Sequence, residues 1–208
     1  LKAFWQSQAT LFPLIGEAGQ GKTNQLAYWT EQLIAHDKPV LIFNSSDFTS
    51  ITLGNYFKGV FSFNIRKDIH RLCDNINRLA KQNNQQVYIF FDAINECLKY
   101  ADDQSNTEGP LALYRDICSL LAREEYSQFK ILFTCRGFTW KNVILPHTRQ
   151  QNAILFNHHS EAAKVRGFNN DELARAYHIY QQLYQMHTPF EDIDRRVALR
   201  LTDPLTLK

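Results

Sequence analysis

The run Gly16-Glu17-Ala18-Gly19-Gln20-Gly21-Lys22-Thr23 is a complete G-x-x-x-x-G-K-T pattern. Glycines at this spacing let successive backbone N–H groups turn inward around a phosphate, where side chains would block the turn. Lys22 then sets an ammonium between the β- and γ-phosphates of a nucleotide, and Thr23 offers a hydroxyl to Mg²⁺. A helix beginning here, with Asn24 in its first turn, aims the positive end of its dipole at the bound anion. Gly16, Glu17, Ala18, Gly19, Gln20, Gly21, Lys22, Thr23 and Asn24 are therefore the candidate nucleotide-binding residues.

Two further positions belong to the same chemistry. Asp92 closes the apolar run Val87-Tyr88-Ile89-Phe90-Phe91. A carboxylate at the C-terminal tip of a buried parallel strand faces the crevice that holds the phosphate loop, and with Thr23 it completes a metal site. In many such proteins a glutamate directly follows the metal-binding aspartate and polarises the attacking water. Here the segment reads Asp92-Ala93-Ile94-Asn95-Glu96, so the next acid stands four residues on.

The elements that must position these residues follow from the hydrophobic pattern. Short apolar runs at 11–15, 39–43, 87–91, 130–134 and 153–156 predict strands, with 39–43 read as buried. Helical spacing predicts helices over 22–36, 65–80 and 111–121. Strands alternating with helices predict an α/β fold, a P-loop three-layer sandwich with a five-stranded, mostly parallel sheet. In sequence one strand, 39–43, intervenes between the phosphate-loop strand and the Asp92 strand and another, 130–134, follows, which suits the P-loop division with an extra strand inserted between those two. Beyond residue 165 only helices are expected: one capped by Asn170 or Asp171, with Leu173, Ala176, Tyr177, Tyr180 and Leu183 inward, and a second over 190–199. The expected division is a nucleotide-binding domain at 1–165 and the start of a helical domain at 166–208.

Composition excludes several classes. The chain has 208 residues, 44% hydrophobic and 21% charged, which suits a globular domain and not a disordered one. Its 23 basic and 21 acidic residues leave +2, which does not point to nucleic acid or an anionic membrane as a direct partner. No apolar run reaches the roughly 18–20 residues of a membrane span, and Leu1-Lys2-Ala3-Phe4-Trp5 before polar Gln6 does not read as a signal peptide. Cys73, Cys97, Cys118 and Cys135 are widely spaced and read as buried thiols of a reducing, cytoplasmic protein. The start without Met and the stop at Lys208 within an apolar segment suggest a piece of a longer chain.

The ordered set of motifs resembles the STAND NTPases, in particular their NACHT-like prokaryotic branch. The residues carrying the resemblance are the phosphate loop, the strand ending Asp92-Ala93-Ile94-Asn95-Glu96, and Phe133-Thr134-Cys135-Arg136. Val165-Arg166-Gly167-Phe168 through Leu173 and Asp203-Pro204-Leu205 extend it over nearly the whole chain. The resemblance implies ATP and Mg²⁺ as ligands, Lys22 on phosphate, and Thr23 and Asp92 on the metal. It makes Glu96 the water-activating acid, Arg136 a sensor of the γ-phosphate and Pro204 the residue packed on adenine. Asn95 stands where the family usually has Asp, and an amide cannot act as a base. The family also implies a slow ATPase that self-associates with ATP bound, joined to effector and sensor domains and released by a proteinaceous trigger, often in antiviral defence.

Three alternatives stand beside this reading. An AAA+-type remodelling motor would carry a hydrolytic Glu next to Asp92, where Ala93 stands. A small-molecule kinase would carry an Arg-rich lid, which 137–150 is not. A binding-only module would follow if Asn95 abolishes hydrolysis. Arg195, Arg196 and Arg200, flanked by Asp192 and Asp194, read as a solvated face. His158-His159 lacks metal-ligand spacing, and Phe4, Trp5 and Phe12 read as core.

Overall fold

A computed structural model describes residues 2–48, 53–54, 57, 66–97, 108–148, 155–156, 163–165 and 167–202. Helix α1 (Lys2–Gln6) precedes β1 (Leu11–Ile15), the phosphate loop and α2 (Lys22–Ala35). Strand β2 (Val40–Asn44), α3 (Arg66–Gln82), β3 (Val87–Asp92), α4 (Glu108–Leu120) and β4 (Phe129–Cys135) follow. After β5 (Ala163–Lys164) the described chain is helical, with α5 (Asn170–Tyr184) and α6 (Arg195–Leu201).

The strands lie in the order β2-β3-β4-β1-β5, and every pairing is parallel. The first four are five to seven residues long and form the body of the sheet. Strand β4 lies between β1 and β3, with Leu11 opposite Ile131 and Phe91 opposite Phe133. The tips of three neighbouring strands thus converge beside the phosphate loop.

Alternation along these strands creates two packed faces. Leu11, Ile89, Phe91, Ile131 and Phe133 face one cluster, with Ile69 and Cys73 of α3 and Tyr114 and Ile117 of α4. Phe12, Leu14, Tyr88, Phe90 and Leu132 face the other, with Phe4 of α1 and Leu26 of α2. Each such side chain contributes about 1.5–3 kcal/mol when fully buried. Phe4 and Phe12 are thus core residues, their rings 5.0 Å apart.

Lys130 interrupts the apolar pattern of β4, yet it is only 1% exposed. Its ammonium donates to Ser7 O (2.6 Å) and Ala9 O (2.8 Å) and lies 5.2 Å from the Phe4 ring centre, tying the end of α1 to the sheet. Burial lowers its pKa. The four cysteines are buried, and burial pushes the Cys73 and Cys97 thiols up to about 11.

Several expectations need correction. Strand β2 is only partly buried: Phe43 is in the core, but Leu41 and Ile42 are 37% and 47% exposed on this edge strand beside β3. Beside β1, β5 pairs Leu14 with Ala163 and Ile15 with Lys164, and of the strand expected at 153–156 the described residues meet β1 at Leu11, whose carbonyl accepts from Phe156 N (2.8 Å). Residues 153–154 lie outside the described part, and Leu155 makes a single bridge to Leu11. The two described residues also pack, Leu155 on one face and Phe156 against Phe4 and Phe12 on the other. Residues 137–147 are helical rather than a loop, with Trp140, Val143 and Ile144 buried. The cap of α5 is Asn169, one residue before the expected position. Its side chain accepts from Glu172 N and Glu172 returns a bond to Asn169 N, a capping box. Leu183 points outward, 68% exposed, because the inner face of α5 ends at Leu173 and Tyr177. The helix expected over 190–199 is a 3-10 turn at Phe190–Asp192 followed by α6, which Asp194 caps through Arg196 N.

Candidate functional site

Strand β1 ends at Ile15, and Gly16 N donates to Cys135 O (3.2 Å), joining the loop's entry to the tip of β4. A Cβ on Gly16 would stand 2.8 Å from Gln20 Oε1, the same atom that accepts from Glu17 N (2.8 Å). Gln20 therefore braces the loop in a space only glycine leaves open. Gly19 and Gly21 have φ of 74° and 79°, the left-handed region that favours glycine. Gly21 is also the N-cap of α2 and offers no side-chain acceptor. The first N–H groups of a 14-residue helix are left to the cleft, as anion binding needs.

Lys22 folds back over the loop. Its ammonium donates to Gly16 O (2.8 Å) and Glu17 O (2.7 Å). Burial lowers its pKa, opposed by Cys135 and Asp92. A phosphate would replace two neutral acceptors with charged ones, a stronger partner for the same ammonium.

Thr23 Oγ1 donates to Asp92 Oδ2 (2.6 Å) across the gap between α2 and β3. The other carboxylate oxygen accepts from Thr134 Oγ1 (2.6 Å), and Thr134 Oγ1 accepts from Ala93 N (2.7 Å). With its proton on Asp92, the Thr23 hydroxyl keeps lone pairs for a cation. A hydroxyl beside a carboxylate is an all-oxygen donor set that suits Mg²⁺, which takes few protein ligands and completes its shell with phosphate and water. Among the described residues no group of three or more His, Cys, Asp or Glu converges, so the transition-metal arrangement of clustered ligands is not what these residues form.

After Asp92 the chain turns sharply. Ala93 has φ 52°, a left-handed conformation in a non-glycine residue, and Ile94–Glu96 forms one 3-10 turn. The turn brings Asn95 Oδ1 to accept from Arg136 N (3.2 Å) and Glu96 Oε1 to 3.6 Å from Arg136 Nη2. Arg136 is 48% exposed and Glu96 31%, so this ion pair is partly solvated and worth about 0–1 kcal/mol.

These residues line one cleft of about 480 Å³. Ala18, Gly19, Gly21, Lys22, Thr23, Asn24, Asp92, Glu96 and Arg136 all border it. Gly16, Glu17 and Gln20 shape the loop from behind. Pro204 lies outside the described residues. The cleft also takes Phe168 and Tyr180, from the segment before α5 and from α5 itself. Both had been assigned to a turn and to an inner helix face. Thr134 was missed as a site residue, although a polar side chain closing the apolar run Phe129–Phe133 is a visible signal.

No family model matches the chain, and no curated protein matches it by sequence. Solved structures do match. One is a Walker-type ATPase of Pyrococcus abyssi, with a TM-score of 0.53 at 13% identity over 99% of this chain and 63% of that one. The chain has a P-loop NTPase fold. AMPPCP-bound DnaA from Aquifex aeolicus also gives 0.53, at 10% identity over 99% of this chain and 56% of that one. A replication initiator DnaA bound to AMPPCP and single-stranded DNA gives 0.51 at 13% identity, over 97% and 53%. The chain thus spans about six tenths of the length of these structures. Among the described residues, no helix is long and apolar enough to cross a membrane.

Proposed function

We propose that this chain is the ATP-binding, ATP-hydrolysing switch of a STAND signalling protein of the NACHT-like prokaryotic branch. Residues 1–165 form its nucleotide-binding domain and 166–208 begin its helical domain. The observation that carries the proposal is the Thr23–Asp92 hydrogen bond of 2.6 Å beside a glycine cradle with Lys22 at its mouth. Two DnaA structures of the same fold hold AMPPCP, an ATP analogue, which supports ATP as the ligand.

Each residue then has a task. The loop N–H groups and Lys22 bind the phosphates, and Thr23 and Asp92 hold Mg²⁺. Mg²⁺ held there would supply charge neutralisation for the phosphates. Arg136 leaves its weak, partly solvated pairing with Glu96 for the γ-phosphate, to which a guanidinium is better matched. Glu96, so released, takes a proton from the water whose oxygen attacks the γ-phosphorus, while the bond from that phosphorus to the β–γ bridging oxygen breaks and ADP departs. Asn95 keeps Arg136 in place through the backbone, a task an amide oxygen can perform. Pro204 would pack on adenine. Phe168 and Tyr180 link the occupied cleft to α5, the element whose position reports the nucleotide state.

In the parent protein the consequences would be self-association with ATP bound and the gathering of effector domains after a sensor domain meets its trigger. Cytoplasmic antiviral defence is the setting the resemblance favours. The DnaA likeness favours a second reading, an AAA+-type remodelling ATPase. Ala93, in a left-handed turn directly after Asp92, leaves no hydrolytic acid next to the metal site and weighs against it.

Phosphate release from Mg-ATP tests the chemistry. The parent should turn over slowly, and Glu96→Gln should lower the rate by at least about 10²-fold with ATP still bound. Hydrolysis at the parental rate in Glu96→Gln would remove Glu96 from the mechanism. A parent that binds ATP but releases no phosphate is the binding-only module.

A further inference from the structure

We infer that Thr134, a residue with no role assigned above, is the positioning residue of the magnesium site. The inference rests on the proposed nucleotide-binding function and extends it to an atom outside the phosphate loop and the acidic strand.

Strand parity places Asp92 and Thr134 on one face. In β3, Tyr88 and Phe90 face the α2 side of the sheet; in β4, Lys130 and Leu132 do. Two residues further along each strand stand Asp92 and Thr134, so both face the start of α2. Because Phe91 is opposite Phe133, they lie side by side at the strand tips. Thr134 is fully buried. A valine would fill the same β-branched shape in a strand, so the hydroxyl needs a reason of its own.

The hydroxyl has two tasks, and both converge on the site. It donates to Asp92 Oδ1 at 2.6 Å, while Thr23 holds Oδ2 at 2.6 Å. The two bonds fix the carboxylate's rotation, so its remaining lone pairs have one direction toward the cleft. The hydroxyl also accepts from Ala93 N at 2.7 Å. That bond holds the strained left-handed turn at φ 52°, through which Asn95 and Glu96 reach the cleft. Its donor and its acceptor capacity are both used, which the hydroxyl can do and a methyl group cannot. Lys22 touches neither atom, so phosphate binding by the loop does not depend on Thr134.

That independence gives the test: ATP affinity of the full chain measured by calorimetry with EDTA and with Mg²⁺, in the parent and in Thr134→Val, Thr134→Ala and Thr134→Ser. In EDTA all four should bind alike within about twofold. The gain in affinity on adding Mg²⁺ should fall about tenfold or more in Thr134→Val and Thr134→Ala, the effect of losing a hydrogen bond to a charged group. Thr134→Ser, which restores the hydroxyl, should recover it. Far-ultraviolet circular dichroism confirms folding; if Thr134→Val does not fold, the Ala and Ser pair decides. An unchanged magnesium response in the hydroxyl-free variants overturns the inference alone. So does an equal loss of affinity in EDTA and in Mg²⁺, which would mark Thr134 as purely structural. A parent that binds no nucleotide overturns the proposed function, and this inference with it.

Discussion

The two walls of the cleft are built differently. The sheet wall consists of strand tips whose side chains are locked: Phe133, Cys135 and Thr134 are fully buried, and Asp92 is held by two hydroxyls. Among the described residues, the wall contributed by the segment after residue 165 offers Phe168 and Tyr180. Around them Ile179, Leu183 and Tyr184 are 62–68% exposed. This segment is tied down locally, by Phe168 N donating to Thr202 O (2.8 Å) and by Gly167, where a Cβ would stand 2.7 Å from that same oxygen. The difference teaches that the phosphate-binding half is pre-organised, whereas the other half, among the described residues, holds its shape through contacts within itself. Such an arrangement lets a ligand bias one element without disturbing the other.

Stability offers the strongest way to break this comparison. Phe133→Ala removes a ring in contact with Tyr114 and Trp140, at 5.8 and 6.0 Å between ring centres. It should cost about 3–5 kcal/mol in urea unfolding. Leu183→Ala on the exposed face of α5 should stay within about 0.5 kcal/mol. Similar losses at both positions would mean that the appendix is as tightly integrated as the sheet.

A smaller effect sharpens the picture at the rim between the walls. Arg136 follows β4 directly and borders the cleft close to Glu96, so it can discriminate the terminal phosphate. Arg136→Ala should weaken a non-hydrolysable ATP analogue by about 1.5–3 kcal/mol, with ADP affinity changing far less. Equal losses for both ligands, measured by calorimetry, would leave Arg136 as a general electrostatic residue.

Much of the sheet wall was legible because its signals are local. The glycine spacing, the apolar run ending in Asp92 and the polar residues after Phe133 each encode geometry in consecutive positions. What was not legible depends on partners far along the chain. Leu155 and Phe156 carry the apolar trace of a strand, but which residues pair beside the end of β1, Ala163 and Lys164, depends on chain placed by distant contacts. Val40–Phe43 looks buried by the same apolar trace, although sheet order puts it at an edge. Ala93 gave no hint of its left-handed turn, because alanine rarely adopts one; the bond from its N–H to Thr134 is a tertiary fact. Trp140, Val143 and Ile144 have helical spacing, but the helical segment at 137–147 is short and its burial depends on partners elsewhere in the chain. That Phe168 and Tyr180 border the cleft is a tertiary fact, set by how the segment after residue 165 meets the strand tips.

The central claim is that the loop from Gly16 to Thr23 binds the phosphates of ATP through Lys22. Calorimetry with Mg-ATP on the parent and on Lys22→Ala tests it most directly. Lys22 contributes the loop's one cation, and in this structure it touches only loop carbonyls, so its loss should leave the fold intact. The account predicts measurable binding by the parent and a loss of about tenfold or more in Lys22→Ala, the worth of a charge-assisted contact at about 1.5–3 kcal/mol. Equal affinity in both proteins, or no binding by the parent, would contradict it.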